Sequence, residues 1–280
     1  MDINLVVVIA AILAYHNQKF NNLVRNDVRL LLTSQIAEPR TLITQQSLGI
    51  LPPIVQRWLA NSNVVGKEKI HTVHLTQKGR MKNKPGGRWM SMNAEQVITC
   101  HTPGFVWNAV IDAGYFLRLT GRDKYMDGKG NMLIKAQGLV TIADSGGDET
   151  DQGAMMRYLA EIIWLPTAAL SNYIQWEHVN DTTARATMSF ANKTVDGLFL
   201  FDHNGDITGF EGRRYANFDG HFSLETWAIR VIGHREFAGF RIADKCEVTW
   251  KLNRGDFTWL QLEVTDIIYN NVDRINNLKL

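Results

Sequence analysis

The feature that most constrains this chain is the spacing of its turn signals. Lys84-Pro85-Gly86-Gly87, Asp127-Gly128, Ser145-Gly146-Gly147-Asp148, Asn204-Gly205-Asp206, Asp219-Gly220 and Arg254-Gly255-Asp256 punctuate the sequence. Gly adopts the left-handed backbone that tight turns require, and Asn and Asp tolerate it. Between these points lie 105–111, 132–143, 184–191, 198–202, 207–215, 226–236, 246–252 and 257–269, most of them rich in aromatic or β-branched residues. Such side chains fit a pleated, half-buried surface. From Ile70 onward Val73, Leu75 and Gln77 alternate with polar neighbours, and Arg88-Trp89-Met90-Ser91-Met92 follows the first turn cluster. Short strands joined by tight turns predict an antiparallel meander instead of alternating βαβ units.

Two segments break the strand pattern. Residues 154–163 hold no turn former, and Met155, Leu159, Ile162 and Ile163 keep helical spacing. Asp151 is the expected amino-terminal cap or first-turn acid of that helix, and Pro166 starts a second short one through Leu170. The sheet is therefore expected in two runs, split by a helical insertion near 151–172. The other segment is amino-terminal. Residues 3–14 are apolar except for Asn4. At 1.5 Å per residue they span ~18 Å, short of a ~30 Å hydrocarbon core. Beyond Tyr15, Phe20, Val24, Val28 and Leu31 fall at helical spacing among Lys19, Arg25 and Arg29. One reading is a membrane-seeking helix followed by an amphipathic one that lies on acidic headgroups, giving residues 3–32 a membrane surface as partner. The other is a long helix packed on the domain. Glu38-Pro39-Arg40 ends the stretch, and Pro52-Pro53 opens a short helix through Leu59. The expected division is a helical, membrane-associated extension over 1–50 and an antiparallel β domain over 51–280. The fold class is mainly β (α+β): a large antiparallel sheet or open half-barrel.

Composition narrows the function. Against 30 Lys+Arg stand 28 Asp+Glu, a net charge of +2 that gives no basic surplus for nucleic acid. Two Cys make neither a disulfide framework nor a four-Cys zinc site, and whether Cys100 and Cys246 pair is open. There is no Gly-x-Ser-x-Gly elbow and no Walker loop. His71 and His74 on a strand point to opposite faces, and the remaining His follow no ligand spacing, so no metal is expected. The acidic stretch Asp144, Asp148, Glu149 and Asp151 reads as a solvated loop beside a helix start in preference to a calcium site. Asp202-His203-Asn204-Gly205-Asp206 reads as a hairpin. No cofactor is expected.

A set of motifs carries a resemblance. Leu51-Pro52-Pro53-Ile54-Val55-Gln56-Arg57-Trp58-Leu59, Gln77-Lys78-Gly79, Pro103-Gly104-Phe105-Val106-Trp107, Gly121-Arg122-Asp123, Arg157-Tyr158-Leu159-Ala160-Glu161, Trp164-Leu165-Pro166-Thr167-Ala168 and Arg214-Tyr215 resemble a bacterial family known only as a domain of unknown function. The match runs from about Leu51 to Tyr269 and implies no activity. The order of elements is also similar to the lipoprotein carriers of the LolA type, open half-barrels whose concave face holds acyl chains under short helices. That similarity implies a hydrophobic ligand, and the amino-terminal segment favours a location at the membrane or cell envelope over a soluble cytoplasmic one.

Eight Trp is a high count, and Trp89, Trp107, Trp176, Trp227, Trp250 and Trp259 fall on expected strands. They either pack a core or line an apolar cavity. Arg157 and Glu161, four apart, share a helix face. They form an exposed ion pair, a network with Arg122, Asp123 or Arg214, or a pair that reads a ligand's polar head. The expected ligand-binding set is Trp107, Tyr125, Arg157, Glu161, Trp164, Arg214 and Tyr215. The expected function is binding or carriage of a lipid, acyl chain or other hydrophobic small molecule. The alternatives are a cofactor-independent enzyme acting on a small hydrophobic substrate in the same cavity, and a structural or partner-binding module.

Overall fold

The structure, a computed structural model, describes residues 3–35, 40–114, 117–218 and 220–276. Strands β1 (Thr72–Met81), β2 (Met90–Thr99), β3 (Gly104–Asp112), β4 (Arg118–Met126), β5 (Lys129–Ala136) and β6 (Val140–Ser145) form a first meander. Helix α4 (Asp148–Glu161) and two 3-10 turns, Ile162–Trp164 and Pro166–Leu170, follow. A second meander runs through β7 (Ile174–Asn180), β8 (Thr183–Phe190), β9 (Lys193–Phe201), β10 (Ile207–Phe218), β11 (His221–Phe237), β12 (Phe240–Leu252) and β13 (Gly255–Tyr269). Ahead of the sheet lie α1 (Ile3–Thr33), α2 (Gln45–Leu48) and α3 (Pro53–Asn61), and α5 (Val272–Asn276) follows it.

Among the described residues thirteen strands belong to one sheet, ordered β6-β5-β4-β3-β2-β1-β13-β12-β11-β10-β9-β8-β7. The two meanders meet where β1 pairs antiparallel with β13. Strands β6 and β7 are the free edges, so the sheet is open, as a half-barrel is. This order explains the helical insertion. The chain leaves one edge at β6 and must re-enter at the opposite edge, β7. Helix α4 makes that crossing over the concave face, touching β4 and β5 of one meander and β9 and β10 of the other.

The turns follow local chemistry. Asp127 (φ 51°) and Gly128 (φ 78°) join β4 to β5 with both central residues left-handed, the turn whose twist matches the strands. Residues 132–143, expected as one strand, are two. Gln137 (φ 53°) and Gly138 (φ 69°) make a second such turn between β5 and β6. Gln lacks the turn preference of Asn or Asp, so apolar residues on both sides masked the break. Trp89 precedes β2, and the charged ends of Arg80 and Lys82 lie over its ring at 4.9 and 4.5 Å. Gly147 caps α4, and Asp151 is a first-turn acid. Glu38, Pro39 and Asp219, expected at a helix end and a turn, lie outside the described residues.

Helix α1 is continuous, and its two halves differ. Phe20, Val24, Val28 and Leu31 are buried with Val97 of β2, Val106 of β3 and Leu133 of β5. Gln96, Trp107 and Met132 precede or follow these sheet residues by one position, and alternation puts them on the other, concave face. Asp27 secures the contact by ion pairs to Arg122 Nε (3.2 Å) and Lys124 Nζ (2.7 Å). The apolar stripe, for which headgroups and the domain itself were the two expected covers, is therefore covered by the convex face of the sheet. The preceding residues are not. Leu5, Val7, Val8, Ile9, Ile12 and Tyr15 are exposed. No helix among the described residues is long and apolar enough to cross a membrane.

Candidate functional site

The concave face does not close completely on α4. A cavity of about 390 Å³ remains between them. Its walls are mainly apolar: Met81 and Met92 from β1 and β2, Trp107 and Ile111 from β3, Trp227, Val248 and Trp250 from β11 and β12, and Trp259 and Leu262 from β13. Strand alternation brings these side chains together from both meanders. The volume falls within the ~300–1,000 Å³ typical of small-molecule sites.

The Trp residues divide by position. Trp107, Trp164, Trp227, Trp250 and Trp259 line the cavity. Trp176 packs instead against Trp58 and Phe199 in the solid core, with ring centroids 6.2 and 5.0 Å away. Trp89 lies outside. The aromatic strand face is thus partly packed and partly open.

A polar network forms part of the cavity wall. Arg157 Nε donates to Glu161 Oε1 and Nη1 to Asp123 Oδ2, both at 2.6 Å, and Nη2 donates to Gln96 Oε1 at 3.3 Å. Gln96 Nε2 closes the ring on Glu161 Oε2 at 2.6 Å. The guanidinium also sits over Phe105 and Trp107, 4.8 and 5.1 Å from the ring centroids. The Arg157 and Glu161 side chains are only 14% and 8% exposed, so this is not a surface pair. Burial pushes the Glu161 carboxyl above its usual value against the pull of Arg157 and Gln96. For Arg157, burial pulls downward, but the Glu161 and Asp123 carboxylates outweigh it and hold the group above its usual value. Arg122, a possible member of the network, points to the convex face and pairs with Asp27.

Arg214 is the second guanidinium in the wall, and its surroundings differ. Nε donates to Gly153 O of α4 at 2.9 Å. The group lies 4.7 Å from the Trp227 ring centroid and 5.8 Å from that of Trp250. No carboxylate reaches it within ion-pair distance among the described residues. Burial pulls its pKa down to about 10; Asp123 and Glu161 oppose this and Arg157 adds to it.

Six of the seven expected site residues border this cavity: Trp107, Arg157, Glu161, Trp164, Arg214 and Tyr215. Tyr215 follows Arg214 on β10, so strand alternation does not give the two one face. Tyr125 is not brought to the cavity. It is fully buried, with its ring against Phe105 and Tyr158, where α4 packs tightly on β4. Two residues of the site lie outside the expected ligand-binding set, Gln77 and Gln96. Their signal was available: each occupies an inward position, in phase with Val73 and Leu75 or with Ala94 and Ile98. Gln77 Oε1 accepts the Trp107 indole N–H at 3.0 Å. An amide at an apolar beat of a strand marks a polar spot inside a sheet.

Other groups have structural partners. Asp151 accepts from Gly130 N at 2.7 Å and from Lys129 Nζ at 3.0 Å, and Lys193 reaches Asp148 at 2.7 Å. No three His, Cys, Asp or Glu side chains converge as a metal set among the described residues. No disulfide joins Cys100 and Cys246. Cys246 lines the cavity, where burial pushes its thiol up to about 12, with Asp244 and Glu161 adding to the effect.

Among solved structures, the chain is similar to a LolA superfamily protein from Nitrosomonas europaea, at 10% identity and a TM-score of 0.46, over 84% of this chain and 98% of that one. It is also similar to a DUF1329 family protein from Desulfovibrio piger, at 8% identity and a TM-score of 0.41, over 78% of this chain and 92% of that one. None of the curated proteins matches the chain. The sequence match is more direct: residues 41–262 fit a family of unknown function, DUF6544, and the chain belongs to that family.

Proposed function

We propose that the protein binds a hydrophobic small molecule or lipid acyl chain in the cavity under α4, without performing chemistry on it. The observation that carries this reading is the cavity itself: about 390 Å³, walled by aromatic and aliphatic side chains where a sheet of this size can pack solid. An apolar cavity in water attracts apolar guests, because burial is worth roughly 25 cal/mol per Å². Uptake of a neutral naphthylamine dye, followed by its fluorescence, tests the reading alongside native mass spectrometry of gently purified protein. Saturable dye uptake and a co-purifying lipid mass are expected. Absence of both overturns the reading.

The exposed half of α1 supplies a route to a membrane surface in the same reading. Leu5, Val7, Val8, Ile9 and Ile12 are apolar around the helix, and exposed Lys19 and Arg29 follow them. Shallow insertion beside acidic headgroups suits this order. Flotation with anionic vesicles tests it; protein that stays at the bottom of the gradient removes the membrane part of the proposal.

A second reading, a cofactor-independent enzyme in the same cavity, draws on Glu161, whose carboxyl is raised by burial. Such groups are candidate acids or bases. Both Glu161 oxygens are held, by Arg157 and Gln96, which favours a positioning task over proton transfer.

A further inference from the structure

The cavity's buried, uncommitted polar atoms are mostly donors. Arg157 already holds the two carboxylates, Asp123 and Glu161, together with Gln96. Arg214 has one hydrogen bond, through Nε, and its two terminal nitrogens have no protein acceptor among the described residues. The indole nitrogens of Trp227 and Trp259 and the amide nitrogen of Gln77 are buried without a partner, and all three residues line the cavity. Thr150, whose hydroxyl serves as donor or acceptor, is in the same position.

Leaving donors unmade in a low-dielectric site is costly, and a guanidinium stays charged at neutral pH even where burial lowers its pKa. The rings of Trp227 and Trp250 beside Arg214 offset part of that cost by cation–π attraction. They do not accept its terminal N–H groups in the plane of the fork. A planar fork with free donors fits a carboxylate or phosphate oxygen pair.

Resting on the reading of the cavity as a hydrophobic-ligand site, we propose that its ligand is an amphiphile with an anionic head. The oxyanion docks on the terminal nitrogens of Arg214, and the apolar chain runs along the Trp and Met wall. Cationic heads are rejected by the same guanidinium.

The test is competition against the neutral dye with four ligands of one chain length: dodecanoate, dodecyl phosphate, dodecanol and dodecyltrimethylammonium. Acetate and inorganic phosphate serve as head-only probes. The two anionic chains are expected to bind about 10- to 100-fold tighter than dodecanol, the range of a charge-assisted hydrogen bond. Dodecyltrimethylammonium is expected to bind weakest. Arg214→Gln is expected to abolish the anion preference, read as the ratio of dodecanoate to dodecanol affinity within the variant. Trp227→Phe keeps an aromatic ring, removes the indole donor and provides an independent variant, expected to narrow the ratio of anion to dodecanol affinity. Equal affinity for dodecanoate and dodecanol in the wild type overturns the proposal and leaves the hydrophobic-ligand reading standing. Acetate or inorganic phosphate binding as tightly as the chains also overturns it, in favour of a free oxyanion. If neither the dye nor any chain binds, both readings fail.

Discussion

Arg157 Nη1 stands 2.6 Å from Asp123 Oδ2, so an ion pair ties the crossing helix to strand β4. The same guanidinium holds Glu161, and Gln96 joins Glu161 to β2. Arg214 ties α4 to β10 of the other meander through Gly153 O. The helix that forms the cavity roof is thus fastened to both halves of the sheet by polar contacts that also form the cavity's walls.

Removing one member of this network leaves the rest uncompensated. Arg157→Ala is expected to destabilise the fold by about 3–5 kcal/mol, because two buried carboxylates lose their counter-charge. The triple change Arg157→Met, Asp123→Asn, Glu161→Gln is expected to cost less than Arg157→Ala alone. Urea unfolding of both variants checks the ordering; a triple variant less stable than the single one contradicts it.

The start of α4 carries a pH dependence. Burial alone would raise the Asp151 pKa, but the Gly130 N–H and the ammonium groups of Lys129 and Lys193 outweigh it and hold the carboxyl below its usual 3.8. A carboxyl held low in the folded state binds its proton more readily when unfolded. Its contribution is therefore complete above the unfolded value of 3.8 and is lost as pH falls through the folded value. Asp151→Asn is expected to cost about 2–3 kcal/mol at neutral pH. It is also expected to flatten the acid limb of stability against pH, read from urea midpoints across that range. An acid limb unchanged from the wild type contradicts the assignment.

The two halves of α1 are expected to respond oppositely to the same change. Val24 is fully buried on the convex face. Val24→Asp places an unpaired charge there, and a loss of about 3 kcal/mol or more is expected. Val8 is 53% exposed, and Val8→Asp is expected to change stability by less than about 0.5 kcal/mol while reducing vesicle flotation. Thermal unfolding and flotation of the two variants separate the packed half from the exposed one.

The cavity can be filled from the sheet. Leu262→Trp adds volume into space that is now empty, so stability is expected to stay within about 1 kcal/mol of wild type. Dye uptake is expected to fall at least about 10-fold. Unchanged uptake in a folded variant means that the dye binds elsewhere.

Much of this architecture was written locally. Paired turn residues such as Asp127-Gly128, strand alternation at Val73 and Leu75, and helical spacing at Met155, Leu159 and Ile162 each act over a few residues, so two antiparallel runs split by a helix are legible from the residues alone. The turn at Gln137-Gly138 escaped because Gln137 lacks the turn preference of Asn or Asp and apolar residues flank the pair. Helical spacing at Phe20, Val24 and Val28 set an apolar stripe without naming what covers it. That choice belongs to the tertiary structure, because an apolar stripe packs equally well on a sheet or a membrane, and here Val97 and Val106 stand opposite it. The site divides in the same way. Helix period put Arg157 and Glu161 on one shared face, and strand alternation gave Trp107 a sheet face, without deciding which way either face points. Only the crossing of α4 over both meanders decided that Arg157 is spent on Asp123 of one while Arg214 of the other reaches Gly153 O and keeps open donors beside Trp227.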